Sequence, residues 1–386
     1  MDIKIDDIVK TVISVANARI RETEDKTPAI QTAAAEVPVH QASSSKIAVL
    51  AEPGAYQFET VNIPPLKEDE ILVRISGSVL TSEDAGEFLK ESKAMTRRPC
   101  GFQGTGVIVK TGKSGLLDAE KKVLHEGDRV IRLRRSEAVY SYYAGNRQGK
   151  PLDSWFAEYI IIKAGNDVLA VNELKQESRL LAGQFTAVSS AMERACQGGR
   201  RLTKDSRVVV AGCTFIGYIT MAVLKTMGIR PLVIGGDDES RHMAEGFGAG
   251  DMVNYRAAGG VDAVVQKVRR YFSGDLADTV FYCAESDMGL TFARRLGVKN
   301  ALLCDLGSSL GKVKSASRFG TDSIVSGTHN FSLADYKKAI TILENAETEG
   351  LPVYRLITHR YRLDELNEAL WTYVRGEGLG IAVLNR

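Results

Sequence analysis

The sequence predicts an α/β protein in which a doubly wound parallel sheet follows a β-rich region. From about Glu173 onward, helical patterns alternate with short apolar segments, at residues 207–210, 232–234, 251–253, 279–283, 301–304 and 323–326. This alternation is typical of a parallel sheet with helices on both faces. Before it, glycine and charged turns separate β-type segments, at residues 46–50, 71–75, 106–109, 128–133 and 159–162. The 386 residues of the chain are enough for two domains with additional segments.

Composition excludes several classes of protein. Apolar residues make up 44% and charged residues 25% of the chain, as is typical of a globular protein. A net charge of +2, with no basic stripe, argues against nucleic acid as a partner. No apolar run approaches the roughly 20 residues that span a bilayer, so no membrane partner is expected. The five cysteines form no Cys-x-x-Cys pair, which predicts a reducing cytoplasm and neither disulfides nor a zinc knuckle.

The first 20 residues predict an amphipathic helix. Its apolar stripe has helical spacing and is formed by Ile5, Ile8, Val9, Val12, Ile13 and Ala16. Residues 21–46 contain proline, alanine and serine with little apolar content, which predicts a flexible linker. A helix this short is marginal alone in water, so it needs a surface that covers its stripe.

Two interpretations of residues 1–20 remain open. In the first, the helix docks on its own protein or self-associates. In the second it is a targeting segment, because a short amphipathic helix with a Pro/Ala/Ser linker resembles the encapsulation peptides of bacterial microcompartment cargo. That resemblance implies a shell protein or another cargo protein as the partner of the helix, and a location inside a cytoplasmic microcompartment.

The segment from Val208 to Gly217 carries the most specific functional pattern. An apolar run ends in a turn at Gly212, a helical pattern follows, and a second apolar segment ends before Asp237 and Asp238. Strand, turn, helix, strand and acid within about 30 residues are the parts of a dinucleotide-binding βαβ unit. The pyrophosphate is expected over the helix N-terminus, where backbone N–H groups favour negative charge. The predicted cofactor-binding residues are Gly212, Thr214, Phe215, Ile216, Gly217, Asp237, Asp238 and Arg241.

Thr214 departs from the Gly-x-Gly-x-x-Gly fingerprint, because it stands where a middle glycine lets the backbone approach the phosphates. Three interpretations follow: the hydroxyl binds a phosphate, the side chain crowds it, or the domain has lost its nucleotide. Asp237 and Asp238 predict a preference for NAD, since a carboxylate accepts hydrogen bonds from the ribose 2′-OH and repels a 2′-phosphate. Arg241 keeps NADP as the alternative, because its guanidinium is able to bind that phosphate.

Seven further segments match one protein family in order and spacing. They lie at residues 70–75, 101–108, 126–130, 156–159, 247–255, 356–360 and 363–369. Together they resemble the medium-chain dehydrogenase/reductase superfamily, which includes the zinc alcohol and polyol dehydrogenases. The resemblance covers roughly residues 47–386.

The resemblance implies a domain plan and a chemistry. Residues 47–172 would form a GroES-like catalytic β-domain, residues 173–335 a Rossmann nucleotide-binding domain, and residues 336–386 a return to the catalytic domain. The active site would lie in the cleft between the domains. A nicotinamide cofactor, a small-molecule substrate and a homo-oligomer are the implied partners.

The family's zinc ligands do not match this sequence. Thr81 stands at the usual cysteine position, and Phe102 and Gln103 stand at the usual His-Glu pair. The third ligand would fall near Gly183 or Gln184, neither of which is a good zinc ligand. Residues 134–150, where a structural zinc lobe would lie, contain no cysteine. The sequence therefore predicts a protein without bound metal.

Without zinc, a hydrogen-bond donor or a general acid must stabilise the oxyanion of a reacting carbonyl. Thr81, Asp84 and Gln103 are the candidate catalytic residues, since they surround the position of the missing metal. A structural interpretation competes, in which Thr81 caps a short helix and Asp84 lies in its first turn.

The predicted function is a zinc-independent oxidoreductase that moves hydride between a nicotinamide cofactor and a small alcohol, aldehyde or ketone. One alternative is reduction of an activated C=C bond, as in zinc-free relatives resembling quinone reductases. Another is a non-catalytic scaffold that has kept the dehydrogenase fold.

Overall fold

The computed structural model describes residues 42–89, 101–133, 153–196, 201–236, 239–284, 289–306, 324–325 and 331–385. The predicted helix over residues 1–20 lies outside these ranges. So do Asp237, Asp238 and residues 134–150. Among the described residues, no helix has the length and apolarity that crossing a bilayer requires.

The described chain begins with a region dominated by strands. These elements are β1 (Ser44–Glu52), β2 (Ala55–Asn62), β3 (Glu70–Val79), α1 (Ser82–Phe88), β4 (Thr105–Thr111), β5 (Arg129–Arg132), β6 (Tyr159–Lys163) and β7 (Val168–Ala170). The first strand begins at Ser44, so three residues of the range predicted as a linker lie in a strand.

Helices and strands alternate in the middle of the chain. These elements are α2 (Gln176–Ala195), β8 (Val208–Ala211), α3 (Phe215–Thr226), β9 (Leu232–Gly235), α4 (Glu239–Gly246), β10 (Asp251–Asn254), α5 (Val261–Tyr271), β11 (Ala277–Tyr282), α6 (Gly289–Arg294), β12 (Gly297–Asp305) and β13 (Ile324–Val325). The last elements are α7 (Leu333–Thr348), β14 (Ile357–Arg362), α8 (Leu366–Val374) and β15 (Gly380–Leu384).

The chain divides into two compact units. The first contains the described residues up to Leu181 and those from Ile357 onward, and the second contains Ala182–Leu356. This division falls later in the sequence than the predicted limits at residues 172 and 335. Those limits remain predictions.

The first unit contains a seven-stranded, largely antiparallel sheet in the order β14-β15-β3-β4-β5-β7, with β6 also paired to β3. Strands β1 and β2 form a separate antiparallel pair. Alternate side chains of β3 are fully buried in a core with β4 and β6, including Ile71, Val73 and Ile75. Leu80, just before α1, and Phe88, at its end, are buried in a second core with α8 and β15.

The second unit contains a six-stranded parallel sheet in the order β10-β9-β8-β11-β12-β13. All four residues of β8 are buried, as expected for a strand covered on both faces. The chain continues from β8 to β9 on one side, while β11 lies on the other side. This reversal is the switch point at which doubly wound sheets bind ligands, and it lies at the end of β8.

Candidate nucleotide turn and buried carboxyl

Two glycines shape the turn between β8 and α3. Gly212 has a φ of +125°, and a Cβ there would lie 3.1 Å from the backbone nitrogen of Ala284. A Cβ on Gly217 would lie 2.0 Å from the carbonyl oxygen of Gly212, which leaves no room for a side chain. These are the two positions at which a dinucleotide fold needs glycine for a tight turn and for close packing of helix on strand.

Thr214 is the N-cap of α3, with extended backbone angles of φ −101° and ψ 173°. Its Oγ1 accepts a hydrogen bond from the backbone N–H of Gly217 at 3.2 Å. The same hydroxyl donates to the carbonyl oxygen of Cys283 at 2.7 Å. A hydroxyl has one proton, so Thr214 has no second proton for a phosphate while this bond exists.

The amides of Phe215 and Ile216 are the first two of the helix. Such amides have no intrahelical acceptor, and neither has an acceptor elsewhere in the described chain. Residues 212–216 are each half-buried in the described chain. The glycine geometry and the two amides fit a pyrophosphate, whereas the Thr214 hydroxyl takes the third amide.

Cys283 is a participant that sequence reasoning missed. It follows β11, and its N–H bonds to the carbonyl of Ala211, which places it beside the end of β8. Burial raises the pKa of its thiol to about 12, so the thiol is neutral, and Thr220 Oγ1 lies 3.6 Å from its sulfur. The available signal was its place at the end of the predicted strand 279–283, because parallel strand ends meet at one edge of the sheet.

Arg241, a candidate for binding a 2′-phosphate, is already engaged. Its guanidinium bonds to the Asp251 carboxylate at 2.8 Å and to the carbonyl of Met252 at 2.7 Å. Asp237 and Asp238, the candidates for the ribose, lie outside the described residues.

The first unit holds a buried carboxyl at the start of α1. Asp84 Oδ2 accepts the backbone N–H of Thr81 at 2.9 Å and the Thr81 hydroxyl at 2.7 Å. In return, Thr81 Oγ1 accepts the Asp84 N–H at 3.3 Å. This is a capping box, and it shows that Thr81 caps the helix as the structural interpretation expected.

Asp84 also joins the helix to the following loop. Its Oδ1 accepts the backbone N–H of Phe102 at 3.2 Å. Only 1% of Asp84 is exposed. Burial therefore raises the pKa of the carboxyl to about 7, although the hydrogen bonds from Thr81 oppose that rise and nearby Glu83 adds to it.

Gln103 follows Phe102 in this loop and is half-buried. Its side chain has no hydrogen-bond partner among the described residues. The loop is held in place at Gly101, whose φ is +101° and whose Cβ would lie 2.8 Å from the backbone nitrogen of Phe156. The structure thus brings Thr81, Asp84 and the Phe102 backbone together, while the Gln103 amide remains available to a ligand.

Within the described ranges, no group of three or more His, Cys, Asp or Glu side chains is arranged to hold a metal ion. Gln184, near the expected third ligand, is 8% exposed, and neither polar atom of its amide has a partner in the described chain. Absence of zinc remains a prediction.

The architecture has clear counterparts among solved structures. An alcohol dehydrogenase from Thermotoga maritima has a TM-score of 0.74 at 18% identity, over 89% of this chain and 100% of its own. Galactitol-1-phosphate dehydrogenase from Escherichia coli has a TM-score of 0.67 at 20% identity, over 88% of this chain and 100% of its own. A short chain alcohol dehydrogenase from E. coli CFT073, solved with NADH, has a TM-score of 0.66 at 17% identity, over 89% of this chain and 100% of its own.

These similarities establish the fold. The predicted fold class, a GroES-like β-domain with a Rossmann doubly wound parallel-sheet domain, is confirmed. No protein-family model matches the chain, and no curated protein matches its sequence.

Proposed function

We propose that this protein is a zinc-independent oxidoreductase that transfers hydride between a nicotinamide dinucleotide and a small alcohol, aldehyde or ketone. The observation that carries the proposal is the turn after β8, where a side chain at Gly212 or Gly217 would meet close contacts and the amides of Phe215 and Ile216 have no acceptor in the described chain. The solved counterparts, which are alcohol and polyol dehydrogenases, support the same class of chemistry.

The bound nicotinamide would supply the hydride chemistry, and the protein would hold it by its phosphates. The Phe215 and Ile216 amides and the dipole of α3 bind the pyrophosphate. Gly212 lets the backbone turn without blocking the approach of the phosphates.

The polar cluster at α1 would supply the proton. An Asp84 carboxyl with a pKa of about 7 carries a proton in about half of the molecules at neutral pH. A proton on Oδ2 is donated to Thr81 Oγ1, 2.7 Å away, which leaves the Thr81 hydroxyl proton free for a substrate oxygen. Gln103 provides a second hydrogen-bond donor from the adjoining loop.

Titration of the purified protein with NADH and NADPH, followed by fluorescence, tests the proposal. Turnover is then screened over aldehydes, ketones, polyols and enones. Saturable binding with turnover of carbonyls or alcohols is expected. Turnover of enones alone selects the C=C reductase, and binding of neither cofactor selects the non-catalytic scaffold.

Elemental analysis after dialysis against a chelator tests zinc independence. We expect no stoichiometric zinc, since Thr81 and Phe102 are at ligand positions and the Thr81 hydroxyl is bound to Asp84. About one zinc per chain would contradict this expectation.

NAD is the proposed cofactor in preference to NADP. The support is the engagement of Arg241 with Asp251 and with the Met252 carbonyl, which a 2′-phosphate would have to displace. Dissociation constants for both cofactors, measured with the wild type and Arg241→Ala, test this preference. Tighter NADPH binding that weakens in the variant would contradict it.

We further propose that the protein is cytoplasmic and homo-oligomeric, and that residues 1–20 direct it into a microcompartment through a shell or cargo protein. The support is the sequence pattern. Residues 1–46 fused to a fluorescent protein should give puncta in cells that express shell proteins, and light scattering reports the oligomeric state. Diffuse fluorescence would favour docking of the helix on its own protein.

A further inference from the structure

We propose that the Thr214 hydroxyl weakens dinucleotide binding by withholding the Gly217 amide from the pyrophosphate. This inference rests on the proposed function. In this inference Thr214 lowers the affinity of the turn for the dinucleotide. It is then neither a ligand of the phosphate nor a neutral substitution for glycine.

The first step is the competition for one backbone group. Helices leave their first amides unpaired, and these amides attract anions. In α3 the third of them, on Gly217, is bound by Thr214 Oγ1 at 3.2 Å. Any phosphate that takes this amide must first displace the threonine oxygen.

The second step is the anchoring of that oxygen. Thr214 donates its only hydroxyl proton to the Cys283 carbonyl at 2.7 Å. Cys283 is 1% exposed, and its N–H is bonded to the carbonyl of Ala211. Its own carbonyl is therefore fixed and does not move with the Thr214 side chain toward a bound phosphate. Rotation of the Thr214 side chain toward a phosphate would leave this carbonyl without its hydroxyl donor, which is unfavourable at a buried residue.

The third step is that the turn is otherwise formed for a phosphate. The clash that a Cβ would meet at Gly217, and the positive φ with tight contacts at Gly212, mark the two outer glycines as required. The middle position is the exception, since extended angles there accept any residue. Thr214 is therefore a substitution that the backbone tolerates and that changes the chemistry of the anion site.

Three variants separate the contributions of the hydroxyl and of the Cβ. Thr214→Ala removes the hydroxyl and keeps the Cβ, Thr214→Gly removes both, and Thr214→Ser keeps the hydroxyl. We expect Thr214→Ala and Thr214→Gly to bind NADH and ADP-ribose about tenfold more tightly than wild type, or about 1.4 kcal/mol. Thr214→Ser should bind as wild type does. Dissociation constants come from NADH fluorescence and from calorimetry with ADP-ribose.

Thermal unfolding without ligand supplies a second readout. Because Thr214 caps α3, Thr214→Ala should unfold at a lower temperature than wild type, whereas Thr214→Ser should not. Tighter binding together with a lower unfolding temperature is the signature of a cap that competes with the ligand.

Each other outcome overturns the inference in a recognisable way. Weaker binding by Thr214→Ala and Thr214→Gly would make the hydroxyl a phosphate ligand. Tighter binding by Thr214→Gly alone would assign the effect to the Cβ. Unchanged binding by all three variants would contradict the inference while the proposed function stands. Absence of binding by the wild type and by all variants would overturn the proposed function, and the inference with it.

Discussion

Helices α1 and α3 both begin at a threonine N-cap, yet the two caps differ at the third helical residue. In α1 that residue is Asp84, whose carboxyl closes a capping box with Thr81 and is buried. In α3 it is Gly217, which has no side chain, so the Thr214 hydroxyl bonds to the Cys283 carbonyl instead. One start of a helix is closed by its own acid, and the other is left open to an external anion.

This difference separates two kinds of site. A carboxyl at the helix start interacts favourably with the helix dipole when it is ionised, and burial raises its pKa, as at Asp84. A glycine at the same position exposes the dipole and lets a phosphate approach. We therefore propose that the residue at the third position distinguishes a helix start that holds a proton from one that binds an anion.

The largest expected effect is at Gly217. Gly217→Ala places a Cβ 2.0 Å from the Gly212 carbonyl, so the helix must move away from the strand. We expect a loss of roughly 3–4 kcal/mol in the free energy of unfolding, and loss of NADH binding by any protein that remains folded. Denaturant unfolding and NADH titration measure both.

Gly86, within α1, provides the matched control. Nothing lies within 4 Å of a Cβ built there. Gly86→Ala should therefore raise the free energy of unfolding by about 0.5–1 kcal/mol through helix propensity. Similar effects at both glycines would mean that the close packing at Gly217 is not a requirement of the turn.

The next largest effect is at Asp84. Asp84→Ala leaves the Thr81 N–H, the Thr81 hydroxyl and the Phe102 N–H without their acceptor. We expect a loss of about 3 kcal/mol in the free energy of unfolding, because burial prevents water from replacing the carboxylate. Urea unfolding at neutral pH measures it.

Asp335 gives a control with the same local motif. It closes a capping box with Ser332 at the start of α7, but there the hydrogen bonds are exposed. Asp335→Ala should lower the free energy of unfolding by about 1 kcal/mol or less, since solvent is available to the freed groups. An equal loss at Asp84 and Asp335 would show that burial does not set the stability of the α1 box.

The two helix starts also differ in how far the sequence could predict them. An apolar run, a helical pattern and the glycine spacing predicted the strand, turn and helix around Gly212 and Gly217, because those patterns are local. The Thr81 and Asp84 cap was also predictable, as a local motif. Neither the burial of Asp84 nor its bond to the Phe102 amide is local, since both depend on how a loop 18 residues later folds back.

Thr214 shows the same limit in the nucleotide turn. Its departure from glycine was visible in the sequence, but its hydroxyl had three open interpretations. Only the position of the Cys283 carbonyl, 69 residues further along the chain, fixes where the hydroxyl proton goes. Sequence patterns place residues on elements, whereas hydrogen-bond partners between elements require the fold.

The pH dependence of stability gives the third effect. Because the pKa of Asp84 is raised from 3.8 to about 7, the folded protein binds more protons than the unfolded chain between these values. The contribution of Asp84 is then greatest below about pH 4, falls by at most about 1.4 kcal/mol for each pH unit, and is constant above pH 7.

Asp84→Asn isolates the contribution of Asp84 titration to stability, because the amide does not titrate. We expect the free energy of unfolding of the wild type, measured from pH 4 to pH 8, to fall relative to that of Asp84→Asn as pH rises. A difference that is independent of pH, or one that moves in the wild type's favour, would contradict a raised pKa at Asp84.

The smallest expected effects come from removing the hydroxyl of each threonine cap. Thr81→Ala and Thr214→Ala should each lower the free energy of unfolding by about 1 kcal/mol, the usual value for an N-cap threonine.

The two variants should differ in the pH dependence of their stability. Thr81→Ala removes a hydrogen bond that lowers the pKa of Asp84, so that pKa should rise further and the fall in stability should extend to higher pH. Thr214→Ala touches no acid at the start of its helix and should leave the pH profile unchanged. Urea unfolding of both variants from pH 4 to pH 9 measures the difference, and parallel profiles would show that Asp84 titrates independently of the Thr81 hydroxyl.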